Sequence, residues 1–377
     1  MSARYQVLIR NQNGEQVGFL TDESSDFVSL YCTKIRNGPG QYRLEVDGSL
    51  ADLFELDGQI VVQRRAPEFG ITQWYPEFAG FHVSEGKRTL LNGTRRFISE
   101  GFSYLDLVRR EEIAYRAATS FSNKAGAGET VIKQFVDENI GPSAASPERL
   151  LPSVMPGLTI QPDLSRGLYW EGGRAWKSLL ETIQEVAIAT GLAFDIIEVE
   201  PAAFMFLVKE HRLGEDRSTE GLDQSTRLNS AGNSPVQFSL DRDNMLTPMV
   251  QITRSDVVNV VYALGAGEKE ARVVLPVTDE YNILLSPWNR RAVCRNASQE
   301  TTLLALQSVG EEVLTERRAR AILTFQPQQT FSTVYGRDYF FGDRVTATYE
   351  GVDYHLEIVE VELTLNEDGE DLRFRFE

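Results

Sequence analysis

Glu360 and Glu362 are the residues whose type and spacing come nearest to chemistry. Two residues apart on a strand, their side chains share a face at about 7 Å. That falls inside the roughly 6.5–9.5 Å separation of an inverting glycosidase pair. They alternate with Val359, Val361 and Leu363, however, and alternation of this kind is how the solvated face of a strand reads in an acidic protein. Asp241 and Asp243, in LDRDN, form a second pair open to the same two readings. The three histidines, His82, His211 and His355, are far apart, with no HExxH and no Cys/His set at zinc-ligand spacing. Gly126-Ala127-Gly128 and Gly265-Ala266-Gly267 match neither a dinucleotide fingerprint nor a phosphate loop, and read as turns. There is no GxSxG elbow. Trp74, Tyr75 and Phe78, with Phe69 and Phe81 nearby, are either a sugar platform or, as aromatics more often are, core or subunit contact.

The elements that must position these residues are mostly strands. The closing stretch, Thr333 to Phe376, predicts an antiparallel meander. Val345, Ala347 and Tyr349 alternate with threonines, Glu350-Gly351 turns the chain, and Val352, Tyr354, Leu356 and Ile358 return it. The apolar parity then slips to Val359, Val361, Leu363 and Leu365, the mark of a β-bulge. Asn366 to Gly369 turns again before Leu372, Phe374 and Phe376.

Residues 1–102 predict a second β-rich region, with strands at Tyr5–Ile9, Val17–Leu20, Phe27–Cys32, Tyr42–Val46 and Ile60–Val62 between Gly-containing turns. Between the two lies a region of different texture. Ser103 and Asp106 suggest a cap before a short helix through Tyr115, a second helix is expected over Glu129–Ile140, and a third over Arg174–Thr190. Five of the 14 prolines fall in residues 142–163, which predicts an irregular connection. Leu192–Val199 and Ala203–Lys209 read as a strand pair, which makes 103–200 an α/β lobe. Residues 212–235 hold three leucines and little else apolar, so an exposed, mobile loop is expected. A helix over about 298–321 is expected within the last region, 246–377, with Leu303, Leu306, Val313 and Leu314 inward and Gly310 in its middle.

Composition narrows the function. A chain of 377 residues has room for two or three domains. The 42% apolar and 25% charged shares are those of an ordinary soluble protein. No run of 18 apolar residues predicts a membrane helix, and the N-terminus does not read as a signal peptide. A net charge of -17 argues against a binder held by nucleic-acid phosphates. Cys32 and Cys294 are expected as two lone buried thiols, the alternative being one long-range disulfide.

One group of residues carries a resemblance. Tyr335, Gly336, Arg337, Asp338 and Tyr339, followed by Gly342, Asp343, Arg344 and Val345 and the closing hairpin, resemble the C-terminal signature of siphovirus tail-tip hub, or minor tail, proteins of phages and prophages. Tyr5–Arg10 with Asn13-Gly14 and Asp26-Phe27 is similar to that family's opening hairpin and strand, and Gly173 to Phe194 to its helix leading into a strand. The 212–235 loop and the 69–81 aromatic cluster stand outside the pattern.

The resemblance implies a mainly β fold with an inserted α/β lobe: two β-barrel-like domains of tail-tube type plus smaller lobes, similar to the baseplate hubs of contractile tails. The first barrel would span 1–102, completed by strands from about 200–245, and the second 246–377. It further implies a homotrimeric structural ring in the virion, assembled in the host cytoplasm. Its partners would be tail-tube, tape-measure and tail fibre or tip proteins, with DNA in transit through the lumen, no cofactor and no stable membrane insertion; the net charge of -17 adds the expectation that the lumen is lined with acid. Two alternatives are a cell-wall glycan hydrolase using a carboxylate pair and a carbohydrate-binding tail protein using Trp74, Tyr75 and Phe78. The end of the sequence at Glu377, just after the closing hairpin, leaves no expected room for an appended hydrolase domain.

Overall fold

The computed structural model describes residues 4–22, 24, 26–114, 119–145, 154–286, 288–318 and 320–377. The first seven strands are β1 (Arg4–Arg10), β2 (Gln16–Thr21), β3 (Phe27–Ile35), β4 (Gln41–Asp47), β5 (Gln59–Ala66), β6 (Ile71–Thr89) and β7 (Arg95–Ser103). Strict alternation builds β1: Tyr5, Val7 and Ile9 are buried while Gln6, Leu8 and Arg10 are partly exposed. β6, 19 residues long, is not foreseen by the strand pattern. Its register slips against β5 at Val62/Gln63 and Arg64/Ala66 and against β7 at His82/Ser84, and each slip resets the apolar parity that a sequence reading depends on.

The middle region holds α1 (Asp106–Arg109), β8 (Ser122–Ala127), α2 (Gly128–Asn139), β9 (Leu158–Ile160), β10 (Tyr169–Arg174), α3 (Leu179–Thr190), β11 (Leu192–Glu200) and β12 (Ala203–Glu210). α1 ends at Arg109, and Tyr115, where a longer helix is expected to stop, lies outside the described residues, as do Pro147 and Pro152. α2 buries Val131, Ile132, Phe135 and Val136 as expected. α3 starts five residues later than its apolar stripe suggests, because Arg174 belongs to β10 and Ser178 caps the helix by accepting from the Glu181 amide. Trp176, expected within that stripe, has a φ of 51° and is half-exposed. β11 and β12 form the expected hairpin, and β12 also pairs in parallel with β9. These elements enclose an apolar cluster of their own around Phe135, Trp170, Ile183 and Phe206.

The rest comprises β13 (Gln237–Ser239), β14 (Met245–Thr253), β15 (Val260–Leu264), β16 (Val274–Thr278), α4 (Glu280–Leu284), β17 (Ala292–Asn296), α5 (Leu303–Glu316), β18 (Arg320–Pro327), β19 (Arg344–Tyr349), β20 (Val352–Asn366) and β21 (Gly369–Phe376). α5 is shorter than expected, with Thr302 as its cap, and Leu303, expected inward, is 62% exposed. Gly310 does not break it. A Cβ there would come within 2.3 Å of Val277 Cγ2, so the missing side chain is what lets α5 lie on β16. β15, β16 and β17 form one small sheet, and β14 and β18 a ribbon.

The meander β19–β20–β21 forms as predicted. Glu350 and Gly351 have φ of 53° and 77°, and the expected bulge sits between Ile358 and Glu360. Its placement is not legible in its own residues. β20 pairs with β3 from Glu360 to Leu365, which joins the meander to the N-terminal strands. The result is an eleven-stranded sheet in the order β13-β19-β20-β3-β4-β7-β6-β5-β1-β2, with β21 on β20. Strands from both expected barrel regions therefore share this sheet, and one apolar core runs from Tyr5 and Val7 to Ile358 and Phe376. Where barrel closure is expected, the described sheet is open, ending at β13 and β2.

Candidate functional site

The motif residues Tyr335 to Val345 occupy the crossing from β18 to β19 and lie against the N-terminal strands. Tyr335, Tyr339 and Val345 are fully buried. The Tyr335 hydroxyl donates to Glu77 Oε1 at 2.8 Å, and its ring packs on Tyr339 and Phe374. Gly336 closes a tight loop by donating its amide to the Tyr339 carbonyl. Arg337 donates to the Phe69 and Phe331 carbonyls and to Asp338, whose Oδ2 accepts the Val334 amide.

Beneath Tyr335 lies an ionic junction. Arg64 Nε donates to Glu370 Oε1 at 2.6 Å, Nη2 to Oε2 at 3.1 Å, and Nη1 to the Tyr335 carbonyl at 3.2 Å. The Tyr5 hydroxyl donates to Glu370, and Lys34 pairs with Glu77 at 3.0 Å. Burial opposes the Arg64 charge, but bonding to Glu370 together with the neighbouring Tyr5 and Glu77 outweighs it and holds the guanidinium above its ordinary pKa. Burial, followed by the neighbouring Glu77 charge, raises Tyr335; burial, followed by Glu370, raises Tyr5. Arg64, Tyr5 and Tyr335 are thus held in their ordinary charge states, as in a structural clamp. A sequence reading does not single out Arg64, Glu77 or Glu370. The available signal is parity: Arg64 shares a face of β5 with the buried Ile60, Val62 and Ala66.

The second half of the motif anchors the polar segment. Asp343, 1% exposed, accepts the Glu215 amide (2.7 Å), the Phe340 amide (2.9 Å) and Arg217 Nε (3.0 Å). Arg344 pairs with Asp216 at 3.0 Å and Glu220 at 2.6 Å. Gly342, with φ of 85°, lets its backbone meet Gly214, whose amide donates to the Gly342 carbonyl at 3.1 Å. Within the segment, Ser218 and Asn229 are buried, and Asn229 Nδ2 donates to the Asp216 and Ser218 carbonyls. Residues 223–227 and 230–232 are exposed, in line with the sequence, whereas Ser218 and Asn229 are not. Polar bonding supplies the order that apolar burial cannot.

The chemical candidates do not assemble. Glu360 pairs with Arg375 at 2.8 Å, and Glu362 faces Arg373 across the β20–β21 register. Asp241 and Asp243 are exposed around a turn, with Asp243 at φ of 54°. The aromatic cluster divides. Phe78 is buried against Tyr42, Tyr75 packs on Phe340, and the Arg65 guanidinium lies over Trp74 at 4.5 Å. Buried His82 shares hydrogen bonds with Ser99 and Tyr42, and burial lowers its pKa. Among the described residues no His/Cys/Asp/Glu group is arranged to hold a metal, and no helix is long and apolar enough to cross a membrane. Both cysteines are free; Cys32 is buried as expected, whereas Cys294, expected buried, is exposed on β17.

No curated protein matches the chain. Solved structures do, at low identity and over nearly the whole length. The prophage MuSo2 43 kDa tail protein from Shewanella oneidensis is 10% identical with a TM-score of 0.56, the match covering 100% of this chain and 98% of that one. A tail protein from Neisseria meningitidis MC58 is 13% identical with a TM-score of 0.54, covering 99% and 96%. Prophage tail protein gp18 from Listeria monocytogenes EGD-e is 9% identical with a TM-score of 0.52, covering 95% and 90%. The fold is thus that of prophage tail proteins. Residues 114–376 match the profile of the Siphovirus ReqiPepy6 Gp37-like proteins, and the chain belongs to that family.

Proposed function

We propose that the chain is a structural, non-enzymatic component of a long-tailed phage tail. It acts at the tip or baseplate as a hub ring that connects the tail tube to the distal parts and lets DNA pass. The observation that carries this reading is the conjunction of a siphovirus family match with a tail-protein fold spanning essentially the whole chain. The neutralised Glu360–Arg375 pair adds to it, since an inverting hydrolase needs its two carboxylates free. The ring is a homotrimer whose barrel-like β regions give pseudo-sixfold symmetry, with tail-tube, tape-measure and fibre or tip proteins as neighbours. The charge of -17 lines a lumen that repels the phosphate backbone. A cryo-electron microscopy map of the intact tail tests it. Three copies around an acidic channel at the distal end are expected; absence from the tail, or a neutral or basic channel, overturns the corresponding part.

A further inference from the structure

A cavity of about 430 Å³ opens between β3, β6 and β11, with Lys34, Tyr75, Glu77, Tyr104, Asp195 and Phe341 among its lining. Its polar inventory is unbalanced. Glu77 is 1% exposed; its Oε1 serves both Lys34 and Tyr335, while Oε2 is buried without a hydrogen-bond partner. Asp195 accepts the Ile196 amide at 2.8 Å. Glu198, a third lining carboxylate, is engaged by Arg10. Three carboxylates therefore stand against the Lys34 ammonium and the Arg10 guanidinium, inside walls that are largely aromatic and aliphatic apart from Thr33 and Ser103. A buried acceptor left without a donor costs free energy that an arriving donor recovers, and a cationic donor recovers most.

We propose that this cavity binds a primary ammonium or guanidinium group carried on an aliphatic stem, with Glu77 Oε2 and Asp195 as its acceptors. The stem lies on the apolar wall, and the aromatic faces add cation–π attraction. An anion is repelled by the carboxylates, and a purely apolar ligand leaves Oε2 unpaired. The same chemistry is presented by a lysine or arginine side chain of a neighbouring protein and by a free alkylamine. The inference does not rest on the tail assignment. Burial pushes the Asp195 carboxyl up to about 6 against the pull of Lys34 and Lys209, so binding strengthens as pH rises through that value and the carboxylate forms.

The test is methyl NMR of Ile196 and Ile197, which line the cavity, during titration of the full chain with n-butylamine, Nα-acetyl-lysine amide or n-butanol. Saturable shifts are expected with both amines at about pH 7.5 and none with the alcohol, with Kd weakened about tenfold at pH 5 and in Asp195→Asn. Tighter binding of the lysine amide assigns the site to a partner side chain; tighter binding of butylamine assigns it to a free amine. No saturable shift with either amine, or an equal response to butanol, overturns the proposal. The comparison of amine with alcohol needs no variant, so it decides the matter even where Asp195→Asn fails to fold.

Discussion

Arg64 and Glu370, 306 residues apart in sequence, form a two-point ion pair at 2.6 and 3.1 Å in which the arginine is 1% exposed. The pair ties β5 to the hairpin end of β21 and fastens the closing meander to the N-terminal strands. Removing one partner leaves a buried charge with no counterion, which costs more than the pair itself contributes. Glu370→Ala is expected to destabilise the fold by about 3–5 kcal/mol, read as a lower urea midpoint. A midpoint within error of the parent would show that Arg64 finds other compensation.

Gly310→Ala sets helix propensity against packing. Alanine favours an α-helix by about 1 kcal/mol over glycine. The new methyl, however, would lie 2.3 Å from Val277 Cγ2. Overpacking of this kind costs about 1–3 kcal/mol, so a net loss of Tm is expected, with partial recovery when Val277→Ala is added. A higher Tm in the single variant would mean that α5 can shift away from β16.

Asp343 holds the polar segment through three donors, the amides of Glu215 and Phe340 and the Arg217 guanidinium. Asp343→Ala leaves buried donors unpaired and is expected to cost about 2–3 kcal/mol. It should also speed limited proteolysis within residues 212–235, while cleavage elsewhere is little changed. Equal cleavage rates in variant and parent would assign the order of this segment to its own internal hydrogen bonds.

Two carboxyls give the fold a pH dependence. Burial, reinforced by the nearby Glu185 charge, pushes Glu312 from 4.5 up to about 7, and burial pushes Glu357 to about 7 against the pull of Arg36 and Arg212. In each case the folded pKa exceeds the unfolded one, so the folded chain binds the extra proton between about 4.5 and 7. The contribution of these groups to stability falls as pH rises across that window and is level above it. Glu312→Gln should therefore raise Tm at pH 8 and leave it nearly unchanged near about pH 4. A pH-independent effect of the variant would remove Glu312 from the account.

The carboxylate pair is expected to be inert. Glu360 meets Arg375 on a face where the arginine is 52% exposed, and exposed pairs contribute about 0.2–1 kcal/mol. Glu360→Gln should cost no more than that, and purified protein should clear no zone in zymography on bacterial cell walls. Lysis by the parent that Glu360→Gln abolishes would reinstate the hydrolase reading.

Local order was readable in the residues themselves. The alternation of β19 and β20, the Glu350-Gly351 turn, the bulge after Ile358 and the buried face of α2 each follow from patterns spanning a few neighbours. Chain order and spacing of the motif residues likewise pointed to a siphovirus family before any coordinates. The start of α3 and the extent of β6 were not readable, because a cap at Ser178 and three register slips interrupt the periodicity that carries such signals. The candidate site was legible at one end. Tyr335 to Val345 stand out, while nothing in the sequence singles out Arg64, Glu77 or Glu370.

What the sequence by itself determined is therefore the local order of segments whose periodicity is unbroken, such as β1, β19 and α2, since that follows from local periodicity and turn chemistry. Only the tertiary structure decided that β20 joins β3, that Arg64 meets Glu370, and that a polar segment is held by Asp343 and Arg344. The physical reason is that strand pairing and buried charge pairing link residues far apart in the chain. A strand's alternation states which face is buried but does not name its neighbour. A charge's partner is chosen by geometry that exists once the sheet has formed.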